Sequence, residues 1–387
     1  MTFVLSVQNV VDYLVECNLC DVVDRSSIQI QPLPAKNFNL LVTLSDERHL
    51  LVKQERLNQP GKTAGEFLNE WQVHTLVQSF TALDRIRRWL SEVVYFDPVN
   101  SVIVMRYLTD YQDLLTVFAQ DNSLTISLMN GVGKRLATIH QLTWNQSSYQ
   151  ECLVRSLPAV HQVIGTTRIL GRITPEVFGK APPAGIKFLS LCQRYTSLTE
   201  AIAELVTTFT PCCLTHNDFK LNNILVHNDW QAIGLESDVS LKFIDWERAA
   251  WGDPSADLGF AIANILEFWL QSLIVNPAIA IADSLLMAMV PLDELQPAIA
   301  AFITGYLQEF PDILALEPQF LKKVVQFVGI ALLHHIQADI QYNKSFNNTG
   351  ICTLQVAKKL LCYPEQSIPT ILGKTEADLM QMRAVGV

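Results

Sequence analysis

Hydrophobic residues in the first hundred positions come in short runs separated by polar turns, and from residue 126 onward they recur every three or four positions. Val10 to Cys20 reads as a short amphipathic helix, and Ser27 to Leu33 as a strand with Ile28 and Ile30 on one side. Asn39 to Leu44 and His49 to Lys53 are apolar runs split by Ser45, Asp46, Glu47 and Arg48, which predicts a hairpin. Asn58-Gln59-Pro60-Gly61 breaks the chain. A helix over Ala64 to Gln78 follows, with Thr63 as its expected N-cap. Val93 to Asp97 and Val102 to Tyr107 flank the turn Pro98-Val99-Asn100-Ser101 as two further strands. The predicted order is strand, strand, strand, helix, strand, strand.

After Leu108 the period changes. Ile126, Met129, Val132, Leu136 and Ile139 lie at helical spacing and predict a long buried helix ending near Thr143. Trp144 to Gly185 is polar and carries no clear period, and Ile186 to Thr207 reads as a helix. Ile224 to Val226 and Leu241 to Ile244 then predict a second hairpin. From Ala256 to the end the spacing is helical, with breaks near Pro277, Pro291, Pro311 and Pro318. The fold class is therefore α+β: a sheet-bearing lobe over Met1 to Arg106 and a mostly helical lobe over Tyr107 to Val387.

Composition narrows the function. The net charge of −10 and the lack of any long Lys/Arg block exclude a general nucleic-acid binder, since phosphate neutralisation needs clustered cations. The longest uncharged stretch in the tail, Phe268 to Ala282, is shorter than the roughly 20 residues that cross a bilayer, so no membrane span is expected. The first twenty residues have no basic leader and carry Asp12 and Glu16 within the apolar stretch, unlike a secretory signal. The eight cysteines are irregularly spaced and imply no disulfide framework; Cys17 and Cys20 form a C-x-x-C pair with no partner pair to complete a zinc site, and are expected to be buried helical residues. A reducing cytoplasm fits this usage.

One segment carries chemistry. In Thr215-His216-Asn217-Asp218-Phe219-Lys220-Leu221-Asn222-Asn223-Ile224-Leu225, polar residues occupy a short loop directly before a buried strand, with Asp218 and Asn223 five apart. Leu241-Lys242-Phe243-Ile244-Asp245-Trp246-Glu247 delivers a further carboxylate at the end of the next strand. Phosphoryl transfer from ATP uses such a set, because its transition state spreads charge over phosphate oxygens and is stabilised by positioning and neutralisation. Magnesium takes hard oxygen ligands and keeps part of its shell for phosphates and water, so Asn223 and Asp245 are the expected protein ligands. Asp218 is the expected base toward the attacking hydroxyl, and Lys220 is placed to lie against the γ-phosphate.

H-N-D-F-K-L-N-N-I-L followed by I-D-W-E resembles the catalytic loop and metal-binding motif of the aminoglycoside phosphotransferase and choline kinase family, which has a protein-kinase-like two-lobed fold. Trp251-Gly252-Asp253-Pro254-Ser255-Ala256-Asp257-Leu258-Gly259 resembles that group's G-D-P-x-x-D-L segment, in which Asp257 would be structural. The resemblance implies a small lobe with a five-stranded antiparallel sheet and one helix after the third strand, the order read above. It places Lys53, at the end of the third strand, on the nucleotide phosphates. Its ion-pair partner would be Glu70, with Glu66 one turn earlier as the alternative. It makes Val104 to Leu108 the hinge, with Met105 and Tyr107 at the adenine. ATP and Mg²⁺ are the implied cofactors, and a small-molecule acceptor is the implied partner.

The chain departs from the pattern in places. The turn Pro34-Ala35-Lys36-Asn37-Phe38-Asn39 has no glycine to cradle phosphate, and Asp245 is followed by Trp246-Glu247, with no Ala-Pro-Glu downstream. The second departure points away from protein kinases and toward small-molecule kinases. His216 reads as a packed scaffold residue, and Glu247 as either a second polar group of the site or a surface residue. Trp251, Trp269 and the doublet His334-His335 are candidates to line a substrate pocket, though such residues are more often core packing. The acceptor stays open among an aminoglycoside-like compound, choline or ethanolamine, a sugar and an amino alcohol. A nucleotide-binding scaffold without turnover is the contrasting reading.

Overall fold

The computed structural model describes residues 3–21, 28–57, 63–121, 125–153, 175–276 and 278–382. Asn58 to Gly61 and Pro277, where the sequence predicts breaks, lie outside the described residues, as does Ser27, the first residue of the predicted opening strand. The chain divides into two compact units: one built mainly from the stretch up to Asp113 with Ile224–Ala249, the other from Leu114–Gln150, the stretch up to Asn223 and Ala250 onward.

The first unit holds a five-stranded antiparallel sheet in the order β1-β2-β3-β5-β4. The strands are β1 Gln29–Leu33, β2 Phe38–Thr43, β3 His49–Gln54, β4 Val93–Asp97 and β5 Val102–Arg106. Side chains alternate across such a sheet, and the sequence serves both faces. Leu40, Val42, Leu50, Val52, Val102 and Val104 pack against Val10, Tyr13 and Leu14 of the N-terminal helix Val10–Glu16. Ile103, Met105 and Leu51 point the other way, toward Phe67 and Trp71 of the helix Glu66–Ser79. This explains why β5 is an unbroken apolar run: it lies between β3 and β4 and is covered on both faces. Lys53 has the same parity as Leu51 and pairs in register with Ile103, so its side chain leaves the sheet on the side of the Glu66–Ser79 helix.

A second, three-stranded sheet of the same unit runs β6-β8-β9, with β6 at Tyr111–Asp113, β8 at Ile224–His227 and β9 at Leu241–Phe243. The predicted hairpin forms, with Ile224 paired to Phe243. The helix Asp84–Trp89 ties this sheet in place: Leu90 bridges Phe243, Lys242 Nζ donates to the Arg88 carbonyl at 2.8 Å, and Trp89 Nε1 donates to Asp238 at 3.1 Å.

The second unit is almost wholly helical apart from the short pair β7 Cys213–Thr215 and β10 Ala250–Gly252. The predicted long helix is Ile126–Thr143, and it packs along Leu292–Glu309. Gly133 and Gly305 set how close these two come, because a Cβ on Gly133 would overlap the Phe302 carbonyl and one on Gly305 the Asn130 carbonyl. The helix Pro254–Ser272 packs on Phe320–Asn343, which in turn packs on Asn348–Cys362. No helix among the described residues is long and apolar enough to cross a membrane.

Some expectations need correction. The helix expected over Ile186 to Thr207 is two helices, Pro183–Gln193 and Thr196–Thr208. The first of the chain's helices ends at Glu16, so Cys17 and Cys20 lie past it and are half-buried, not buried in a helix. Thr63 is not the cap of the next helix; Gly65 holds that position at φ 80°, a left-handed conformation glycine adopts without strain.

The glycine crossing yields a direct test. Gly133→Val should lower Tm strongly, by an overpacking cost of about 1–3 kcal/mol or more. Gly179→Ala, where nothing lies within 4 Å of the added carbon, should leave Tm unchanged or raise it slightly in the same thermal melts.

Candidate active site

The loop between β7 and β8 is held from beneath by one carboxylate. Asp257, wholly buried in the first turn of Pro254–Ser272, accepts the backbone N–H of His216 at 2.7 Å on one oxygen and that of Asn217 at 2.7 Å on the other. His140 Nε2 lies 3.2 Å from the same carboxylate, and its Nδ1 lies 2.9 Å from the Tyr306 hydroxyl. Buried carboxylates are tolerable when hydrogen-bonded in this way. Asn217 takes the left-handed conformation at φ 59°, which turns the chain sharply after the strand.

From there the loop alternates. Phe219 and Leu221 are fully buried, and the Leu221 N–H donates to Asn264 Oδ1 at 3.0 Å. Asp218 and Lys220 therefore face outward, with Lys220 Nζ 2.9 Å from Asp218 Oδ2. Asn223 is 3% exposed; its Nδ2 donates to the Asp218 carbonyl at 2.9 Å and reaches Asp218 Oδ2 at 3.4 Å. Because the backbone carbonyl only accepts, the amide orientation is fixed and Oδ1 is the atom left for another partner. The structure thus brings Asp218, Lys220 and Asn223 together in the second unit. His216 is fully buried, as expected of a scaffold residue.

The rest of this support was not visible in the sequence. Asp253 caps the Pro254–Ser272 helix by accepting the Ser255 N–H at 3.1 Å, accepts the Thr210 N–H at 3.0 Å, and ion-pairs with the buried Lys323 at 2.5 Å. Lys323 lies seventy residues downstream of Asp253, so no local pattern announces the pair.

In the first unit a second group of charges gathers. Lys53 Nζ lies 2.9 Å from Asp245 Oδ1. Burial alone would depress the lysine, but the Asp245 and Glu70 carboxylates hold it above its ordinary value. Asp245 itself sits at φ 68°, the left-handed conformation, directly before the turn Trp246–Arg248 that packs on the Glu66–Ser79 helix. Glu70 is wholly buried; desolvation pushes it up to about 7 against the pull of Lys53. Glu66, the alternative partner, instead binds Lys36 at 2.6 Å. Of the two glutamates, Glu70 is thus the one under the influence of Lys53. Glu247 is 7% exposed, and burial together with Asp245 and Glu66 pushes it up to about 8 despite Lys36, whose Nζ is 3.8 Å away. Four carboxyl groups crowd this corner around Lys36 and Lys53, and the two most buried of them, Glu70 and Glu247, hold their protons most tightly. Among the described residues, no group of three or more His, Cys, Asp or Glu is arranged to hold a metal.

Met105 and Tyr107 lie in and just after β5. The Met105 side chain is buried in the cluster with Phe67 and Ile103, and its backbone lies between Leu51 of β3 and Val93 of β4. The Tyr107 N–H donates to the His49 carbonyl at 2.8 Å, so that donor is engaged within the sheet edge.

The sheet with one helix after its third strand, next in sequence to a helical unit bearing an Asp-tipped loop, is a protein-kinase-like fold. Solved structures agree. A choline/ethanolamine kinase family protein from Mesorhizobium loti matches with 16% identity over 89% of this chain and 93% of that one, at TM-score 0.50. A choline kinase from Streptococcus pneumoniae matches with 16% identity over 91% and 98% of the two chains, at TM-score 0.50. Aminoglycoside 2′-phosphotransferase-IIIa, solved as a GDP complex, matches with 14% identity over 93% and 100%, at TM-score 0.50. A comparison with curated protein sequences gives no match. Residues 193–288, the stretch that contains both the Asp218 loop and Asp245, match the model of a family described as the phosphotransferase enzyme family. The chain is similar in fold to these kinases and, over residues 193–288, similar in sequence to that family, where the H-N-D-F-K and I-D-W-E segments lie.

The raised carboxyls fix a pH dependence. A carboxyl that binds protons more tightly in the folded state removes stability as pH rises from its unfolded value through its folded one, from about 4.5 to 7 for Glu70 and to about 8 for Glu247. Glu247→Gln should therefore raise Tm relative to the unsubstituted protein at about pH 8.5 and change it little at about pH 5. Equal offsets at the two pH values contradict the assignment.

Proposed function

We propose that the chain transfers the γ-phosphoryl group of ATP to a hydroxyl of a small molecule, with Mg²⁺ as cofactor. The state of Asp218 supports this reading most: its carboxylate is only partly exposed, on a loop whose backbone is anchored by Asp257, beside an ammonium group and an asparagine. In the reaction the acceptor oxygen forms a bond to the γ-phosphorus as the bond from that phosphorus to the β,γ-bridging oxygen breaks. ADP leaves, and the hydroxyl proton passes to Asp218. Lys220 would lie against the transferring phosphate, and Lys53, held on the sheet by Glu70 and Asp245, would pair with the other phosphates. Met105 and Tyr107 would border the adenine, with Met105 supplying the apolar floor.

The donor chemistry fits the cation. Asn223 Oδ1 and the Asp245 carboxylate are hard oxygens, and two such ligands are what Mg²⁺ commonly takes from protein when phosphates and water complete its shell. When bound, the ion would offset charge on the phosphate oxygens. Asp245, Glu70 and Glu247 crowd acidic groups together, and a divalent ion beside them would favour their ionised forms.

The test is ADP release across a panel of hydroxyl acceptors: choline and ethanolamine, aminoglycosides, sugars and amino alcohols. At least one class should support turnover with Mg²⁺, and Asp218→Asn should lower kcat for it by about 10²–10⁴ while leaving nucleotide binding intact. Turnover at the unsubstituted rate in Asp218→Asn would remove the base from the account. Tight Mg·ATP binding with no acceptor turned over would favour a nucleotide-binding scaffold.

A further inference from the structure

The helical unit contains an apolar cavity of about 710 Å³ that none of the residues of the Asp218 loop lines. Its walls come from the C-terminal end of the Pro254–Ser272 helix, through Trp269 and Leu273, and from the helices Asn348–Cys362 and Pro364–Leu372, through Ile351, Leu360 and Ile371. Ile274 and Leu285 line it and are nearly half exposed, so it opens to solvent through an apolar lip. Leu286 and Met289, which follow Leu285 closely in sequence, are both more than 80% exposed. Well-formed cavities of this size with apolar walls are where proteins bury most of a small ligand.

Most of the polar lining groups are already engaged. Ser284 Oγ donates to the Ile274 carbonyl at 2.7 Å, and Asn276 Oδ1 accepts the Ala278 N–H at 2.9 Å. Ser367 Oγ donates to the Tyr363 carbonyl at 2.8 Å, and Gln355 Nε2 reaches the Tyr195 hydroxyl at 3.3 Å. A ligand would thus meet hydrocarbon over most of its length. Among the described residues no carboxylate lines the cavity, although the chain as a whole carries a net charge of −10. The one charged side chain on its wall is Lys359, which is exposed and makes no ion pair among the described residues. The combination of a hydrocarbon interior and a single cation at the surface matches one kind of ligand: an apolar chain ending in an anion.

We propose that this cavity binds a single-chain anionic amphiphile, a free long-chain fatty carboxylate, with the alkyl chain between Trp269, Ile351 and Ile371 and the carboxylate at Lys359. Burial of the chain supplies most of the affinity, and Lys359 selects the head group, since an exposed charge pair adds only a few-fold.

Titration of the full-length protein with saturated fatty acids of ten to eighteen carbons, below their micelle concentrations, tests this by calorimetry. Affinity should rise about threefold to fourfold per added methylene and then level off once the cavity is filled. Lys359→Gln should weaken the carboxylates about threefold to fivefold and leave the alcohol of equal chain length unchanged. Cys352→Phe, which fills the cavity from its wall, should abolish binding of both while nucleotide binding stays as in the unsubstituted protein. Because that variant could misfold, a second readout uses the natural chain: bound palmitate should protect Cys352 from alkylation by N-ethylmaleimide, followed by peptide mapping, and leave the exposed Cys152 reactive. Absence of saturable binding, or binding that a folded Cys352→Phe variant retains, overturns the proposal. So does a dimer in sedimentation that shields Cys352 without any lipid, which would assign the face to a second copy of the chain.

Discussion

One buried carboxylate sets the geometry on which the catalytic reading depends. Asp257 accepts two consecutive backbone N–H groups at the start of the Asp218 loop, one on each oxygen, and has no contact with solvent. A carboxylate used this way acts on the backbone. It fixes two peptide planes, and with them the direction in which the next side chain leaves the chain. Replacing it by an apolar group would strand two buried donors, each costing about 1–3 kcal/mol. His140 and Tyr306 close the network from helices more than a hundred residues apart in sequence, so loop position is tied to the core of the helical unit. Asp253 and Lys323 repeat the device one turn away at the helix cap.

The sheet-bearing unit presents the complementary case, in which charges are concentrated without being fully compensated. Lys53 stays charged because Asp245 and Glu70 outweigh its desolvation, and the same burial leaves Glu70 and Glu247 reluctant to ionise. Carboxyl groups raised by burial and by one another are an arrangement that a cation would relieve. Perturbed groups gathered around a strained residue, here the left-handed Asp245, are more often found at working sites than elsewhere.

Much of the fold was legible because the physics that forms it is local. The five strands of the sheet alternate or run unbroken according to whether one face or both are covered, and the Ile126–Thr143 helix keeps its period through its whole length. Elements without a period were not legible. β6, β7 and β10 are three residues each and exist through their partners, and Asp84–Trp89 is too short for amphipathicity to show. The split at Arg194 and Tyr195 carries neither proline nor glycine to mark it. At the site, the motif residues could be named from spacing within one segment. Lys36 against Glu66, and the choice of Glu70 over Glu66 beside Lys53, depend on how the helix Glu66–Ser79 lies against the sheet. That is a tertiary fact, as is the pairing of Asp253 with Lys323.

The function proposed above has Asn223 and Asp245 as ligands of the Mg²⁺ that accompanies ATP. A double-substitution cycle on Mg²⁺-dependent binding of a fluorescent ATP analogue tests it most directly, because groups acting on one ion lose affinity non-additively. The account predicts that Asn223→Ala and Asp245→Ala each remove most of the Mg²⁺ dependence and that the double variant is little worse than either alone. Losses that simply add, or a Mg²⁺ dependence that survives both substitutions, would contradict it.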